Sequence, residues 1–185
     1  MGRLAAEKNL GVLVDAWRAV QGVQPRARLV LVGDGPLRPA LQAACPDAVF
    51  AGVRRGPDLA AHYASMDVFA FPSVTETFGN VTIEALASGL PLVAFDHAAA
   101  AHLVRNGHNG CLAAVGDTAG FTAALRALVS DAALRRRIAQ AAHQTTASLG
   151  WDDVVGRFEQ HLAQACGMRP ATELAPLQGA VGSLA

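Results

Sequence analysis

Five short apolar runs alternate with amphipathic stretches along this chain, and that alternation limits its fold more than any other feature. The runs are residues 29–32, 49–51, 68–71, 92–95 and, more weakly, 110–113. A strand with no polar alternation must be covered on both faces, which a parallel sheet between helices achieves. The stretches between them have helical spacing. Residues 8–21 place Leu10, Leu13, Val14, Trp17 and Val20 on one face. Further helices are predicted over 37–44 with Pro36 at the first position, over 57–65, and over 80–88 ending at Gly89. Others run from a cap at Asp117 or Thr118 to about residue 130, from Asp131 to about residue 147, and from Trp151 to about residue 165. The pattern predicts an α/β domain with three αβα layers around a parallel sheet. Ligands of such sheets bind outside the carboxyl ends of the strands. The turns at 33–36, 52–56, 72–80 and 96–101 are therefore expected to line the site.

Composition narrows the function classes. The chain has 185 residues, 52% hydrophobic and 16% charged, which suits one globular domain and excludes a disordered one. Lys+Arg and Asp+Glu both number 15, so no net field draws the chain to nucleic acid or to an anionic membrane. Cys45, Cys111 and Cys166 are odd in number and far apart, which gives neither a disulfide framework nor metal-ligand spacing. They are expected to be buried, reduced thiols of a cytoplasmic protein. No run approaches the ~20 apolar residues of a spanning helix, and residues 1–4 contain no signal-peptide core. Residues 1–166 are read as the domain. Residues 167–185, rich in Pro, Gly, Ala and Ser, are read as a flexible tail or a strap for a partner domain.

The chemistry concentrates between Pro72 and Ala85. Here a buried strand turns into a helix through Gly79, which lets backbone approach a ligand. The amides of Phe78, Gly79, Asn80 and Val81 would lie at the helix N-terminus, where free N–H groups and the helix dipole attract an anion. Two carboxylates flank this turn, Glu76 before it and Glu84 within the helix. Carboxylates repel phosphate but accept hydrogen bonds from hydroxyls. A ligand with phosphate at its centre and hydroxyl-rich groups at both ends fits, as a nucleotide diphosphate sugar does.

The spacing Glu76-x7-Glu84, followed by Ala85-Leu86-Ala87-Ser88-Gly89-Leu90-Pro91, resembles the donor-site signature of glycosyltransferase family 4, retaining enzymes of the GT-B fold. Three more segments resemble that family in order and spacing. They are Gly2-Arg3-Leu4-Ala5-Ala6-Glu7-Lys8-Asn9, Leu31-Val32-Gly33-Asp34-Gly35-Pro36, and Ser65-Met66-Asp67-Val68-Phe69-Ala70-Phe71-Pro72-Ser73. Together they cover residues 2 to about 115. The wording around Glu76 is similar to bacterial α-mannosyltransferases and glycolipid glycosyltransferases.

The resemblance implies the Rossmann-like C-terminal half of a GT-B enzyme, binding a GDP-mannose or UDP-hexose donor without a metal or other cofactor. It implies that Arg3 and Lys8 neutralise the diphosphate and that Glu76 holds the sugar hydroxyls. Glu84 would accept from the ribose, and Phe78 to Val81 would contact phosphate or sugar through backbone. Val53 and Arg54 would lie against the base, and Gly33 would serve the donor turn. Singly, Arg3 and Lys8 are ordinary surface charges, Glu84 a solvated helix residue and Gly33 a turn glycine; their joint order favours the site. His102 stands where relatives carry a Glu.

The implied partner is an N-terminal acceptor-binding domain, in cis or in trans, which would also carry any contact with a membrane surface. The family's first donor-domain strand precedes the Gly-Arg-Leu segment, so this chain is expected to lack it and to be marginally stable. Three functions remain open: hexosyl transfer, nucleotide-sugar binding without independent catalysis, and a truncated remnant.

Overall fold

The computed structural model describes residues 1–75, 79–147 and 150–166. They fall into two units, divided between Ala147 and Ser148. The first unit holds five strands, β1 (Val30–Val32), β2 (Val49–Gly52), β3 (Phe69–Phe71), β4 (Leu92–Phe95) and β5 (Gly110–Ala113). Its helices are α1 (Leu10–Gln21), α2 (Arg38–Ala44), α3 (Gly56–Ala64), α4 (Asn80–Ala87), α5 (Ala98–Leu103), α6 (Thr118–Ser130) and α7 (Ala132–Thr145). A 3₁₀ turn, Ala6–Lys8, leads into α1.

Every pairing between these strands is parallel, and the side chains of β4 alternate between two cores. All four residues of β4 are buried. Val93 and Phe95 join a core with Leu13 and Trp17 of α1 and Phe121 and Leu125 of α6. Leu92 and Ala94 point the other way, into a core with Phe69, Phe71 and the α4 residues Ala85 and Leu86. Helices thus cover β4 on both faces, which is why its sequence shows no polar alternation. The three layers match the predicted fold class.

The strands form two sheets rather than one. β1 pairs with β2, while β3, β4 and β5 form the second sheet in that order. A cavity of about 490 Å³ lies between β1 and β3 and is also lined by Met1, Gly2 and Leu4. At its rim, the Gly2 amide donates to Val32 O at 2.9 Å and the Leu4 amide to Asp34 O at 2.9 Å. Residues 2–4 thus lie alongside the carboxyl end of β1, tied to it and to the turn beyond by two backbone hydrogen bonds.

Local chemistry explains where elements begin. Asp117 caps α6 by accepting from the Gly120 amide, and Asp131 caps α7 by accepting from Ala133 and Leu134. Pro36 is not the first residue of α2, which starts at Arg38 with Pro39 in its first turn. The Asp34 carboxylate accepts from the Gly35 amide and Leu37 N–H donates to Leu4 O, so residues 33–37 remain a turn. α5 falls in a segment read as a loop; its run of four alanines supplies the helix propensity. Cys45 is buried, as expected, but Cys111 is only partly buried and Cys166 is exposed. Burial pushes the Cys45 and Cys111 thiols up. The described part of the second unit is mainly α8 (Trp151–Ala165), which carries exposed Val155, Phe158 and Leu162 at helical spacing. No helix among the described residues is long and apolar enough to cross a membrane. The expected tail, residues 167–185, lies outside the described residues.

Phe121 is fully buried and meets Phe95 with ring centroids 5.3 Å apart. Phe121→Ala is expected to cost about 3–5 kcal/mol, a large share of a small domain's stability. Urea denaturation of the variant checks it.

Candidate functional site

A second cavity, of about 360 Å³, opens where the N-terminal segment, the turns after β1 and β2, and α4 converge. Arg3, Gly33, Val53, Arg54, Val81 and Glu84 line it. These residues come from four separate stretches of sequence, and the parallel topology delivers them to one edge, the carboxyl ends of the strands.

The N-terminal segment reaches this edge because the turn after β1 has no side chain in its way. A Cβ on Gly33 would sit 1.8 Å from Gly2 O, and one on Gly35 would sit 2.5 Å from Leu4 O. Gly33 also has φ +133°, which an L side chain rarely adopts. Its role in the structure is therefore to let residues 2–4 pass, and it lines the cavity as a consequence. Arg3, held on that segment, is exposed and lies 3.6 Å from Glu7. Its guanidinium meets Glu7 in a solvent-screened ion pair, which costs little to exchange for a stronger anion. Lys8 lies on the larger cavity, which Arg3 also lines. The Thr75 hydroxyl donates to Glu7 O at 2.9 Å, tying the 3₁₀ turn that carries Lys8 to the loop after β3. Glu76 and Phe78 lie outside the described residues.

α4 begins with Gly79 at φ 72°, ψ 43° as its N-cap. Gly79 O accepts from the Thr82 and Ile83 amides, so the helix is wound from its first turn. The first-turn amides of Asn80 and Val81 have no acceptor within the helix. Gly79 is buried, and a Cβ there would lie 2.5 Å from the Ala99 Cβ. The close approach that this glycine permits in the structure is by α5. α5 itself starts through Ala98 at φ 48°, a strained conformation for a residue with a side chain. His97 and His102 are exposed on that element.

Arg54 is fixed by its own surroundings. Its Nε donates to Ala51 O at 2.8 Å, and its guanidinium meets Asp58 at 3.1 Å. Beside it Val53 is 61% exposed, an apolar surface at the cavity mouth. Glu84, exposed on the second turn of α4, accepts a 2.8 Å hydrogen bond from the Tyr63 hydroxyl. Burial first, and the bonded carboxylate second, push the Tyr63 phenol far above its usual range, so it stays a neutral donor. The Met1 amino group lies on the same cavity, lowered to about 6 by burial while Glu84 pulls it back up. Among the described residues no three His, Cys, Asp or Glu side chains cluster as metal ligands.

Tyr63 and Leu59 line this cavity too, and the sequence reading did not include them. Both sit on the inward face of α3, where an aromatic and a leucine four residues apart read as core. The one available signal is the phenol itself, because a buried hydroxyl needs a partner.

The chain was compared with known proteins. The pattern of the family described as Glycosyl transferases group 1 matches residues 1–131. A GDP-mannose-dependent alpha-mannosyltransferase of Mycolicibacterium smegmatis is 41% identical over 169 residues, covering 89% of this chain and 43% of that protein. This chain thus spans less than half the length of that relative. Among solved structures, Anabaena Alr3699/HepE in complex with UDP superposes with a TM-score of 0.72 at 27% identity, over 90% of this chain and 48% of that one. The C-terminal domain of a glycosyl transferase group 1 family protein (LpcC) from Francisella tularensis superposes at 0.73 and 21% identity, over 80% of this chain and 82% of that one.

Gly33→Ala is expected to displace residues 2–4 and to lower stability by at least ~1–3 kcal/mol. Gly52→Ala is the control: its φ is +73°, but a Cβ there meets nothing within 4 Å. Amide exchange at Gly2 and Leu4 should rise in the first variant and stay slow in the second.

Proposed function

We propose that this chain, which belongs to the glycosyl transferases group 1 family of GT-B enzymes, is the donor-binding half of a retaining enzyme that moves a hexose from a nucleotide diphosphate sugar to an acceptor. The observation that carries this reading is the 360 Å³ cavity, which basic Arg3 and Arg54 line together with the Glu84 carboxylate. That is the polarity of a ligand with phosphate at one place and a vicinal diol at another. Glu84 accepts from the ribose hydroxyls, and Val53 and Arg54 flank the base. The first-turn amides of α4 approach the phosphates or the sugar, with Glu76 and Phe78 in the adjoining loop.

In the transfer, the bond between the anomeric carbon and the leaving phosphate oxygen breaks as the acceptor oxygen bonds to that carbon. The acceptor's proton passes to the leaving phosphate, whose growing charge Arg3 and Lys8 stabilise, and no metal is required. The M. smegmatis relative is GDP-mannose-dependent and the Anabaena structure holds UDP; GDP-mannose and UDP-hexoses are accordingly the donors we propose. The protein works in the cytoplasm beside an N-terminal acceptor-binding domain.

A second reading is a module that binds the donor without independent catalysis. On it, radiolabelled donor gives negligible turnover with this chain alone and measurable turnover once an N-terminal partner is added.

Calorimetric titration with UDP, GDP and their hexose conjugates tests the site. Glu84→Ala removes acceptors for two ribose hydroxyls and should weaken binding by about ten- to a hundredfold. No binding at millimolar nucleotide, or an unchanged affinity in the variant, would sink the reading.

A further inference from the structure

We propose that Tyr63 is a positioning residue for nucleotide recognition: its hydroxyl holds one oxygen of the Glu84 carboxylate and leaves the other for a ribose diol in the smaller cavity. The inference rests on the donor-site reading above and adds to it a residue that acts through Glu84.

The two partners contrast in every respect that matters. Tyr63 is 3% exposed and its ring is fixed, tilted against Phe69 at a centroid distance of 5.9 Å, with Phe69 stacked on Phe71 at 5.7 Å. Glu84 is exposed and hangs from the second turn of α4. An exposed glutamate samples several rotamers, and fixing it when a ligand arrives costs conformational entropy. A rigid phenol 2.8 Å from Oε2 selects one of those rotamers beforehand. The bond is charge-assisted and so is stronger than one between neutral groups. It runs from α3 to α4, joining residues 21 positions apart, so the carboxylate is referred to the β3 core rather than to its own helix alone.

Packing by itself does not call for this hydroxyl. A phenylalanine would fill the same space against Leu59, Val81 and Phe69, all of which belong to or pack on one apolar cluster. The hydroxyl brings a desolvation cost that a partner must offset, and the partner it has is a carboxylate lining the cavity. Both residues line that cavity, with the phenol beneath and the carboxylate at the surface.

The test is a ribose-against-dideoxyribose comparison by calorimetry on the full chain, using GDP and UDP and their 2′,3′-dideoxy forms. Wild type should bind the ribonucleotide more tightly. In Tyr63→Phe the ribonucleotide should weaken by about tenfold while the dideoxy form shifts by less than about twofold, so their ratio collapses. Because the ratio is taken within one variant, partial unfolding lowers both arms alike and cannot imitate the result. In a Glu84→Gln background, Tyr63→Phe should produce no further collapse. Equal weakening of both ligands, or a ratio that survives Tyr63→Phe, overturns the role of Tyr63 while leaving Glu84 in place. A wild-type chain that does not distinguish ribose from dideoxyribose overturns the donor-site reading and this inference together.

Discussion

Residues 2–4 cross the turn at 33–35 with their backbones in direct contact, and the placement of the N-terminal basic groups depends on that crossing. Two backbone hydrogen bonds, from the Gly2 amide to Val32 O and from the Leu4 amide to Asp34 O, hold the segment in register, and the Leu37 amide donates a third to Leu4 O. Any side chain at Gly33 or Gly35 would occupy the space of the crossing backbone. Arg3 sits between the two anchored amides, so its Cα has little freedom although its guanidinium is exposed. From Leu4 the chain enters the 3₁₀ turn, and Thr75 clasps that turn to the loop after β3. One backbone contact thus sets where a cation stands relative to two different sheets.

The opposite side of the cavity is organised by side chains. Glu84 would be an ordinary helix-surface carboxylate but for Tyr63, and Tyr63 would be ordinary core but for its hydroxyl. Arg3 is therefore placed by its backbone, and Glu84 by a side-chain bond. Removing a glycine and removing a hydroxyl damage the site in different ways, the first by moving an element and the second by freeing a rotamer.

Much of this was legible in the sequence wherever one physical rule dominated. β4 shows itself as Leu92, Val93, Ala94 and Phe95 because burial on both faces permits no polar residue, and α1 shows itself through the spacing of Leu13, Val14 and Trp17. Six residues read from separate segments, from Arg3 to Glu84, line one cavity because parallel topology brings every strand's carboxyl end to the same edge. What escaped depends on contacts distant in sequence. α5 was hidden because four alanines carry helix propensity but no amphipathic period. The division into two sheets is a matter of which strand edges meet, and apolar runs say nothing of their neighbours. The Tyr63–Glu84 bond joins two helices, and no local pattern pairs them.

The two-sheet arrangement has a mechanical consequence. The smaller cavity is lined by residues that follow β1 and β2, Gly33 and Arg54, and by Val81 and Glu84 of α4, which packs on the β3–β5 sheet. Between β1 and β3 no backbone ladder runs among the described strands. A molecule seated in that cavity would be a cross-brace: it would link two blocks joined by hydrophobic packing and by contacts such as Thr75 to Glu7, but by no backbone ladder among the described strands. Occupancy then adds its binding free energy to their cohesion, in proportion to the logarithm of ligand concentration over Kd. The ligand would then be a removable structural member of the fold, and the domain's stability would report how full that cavity is.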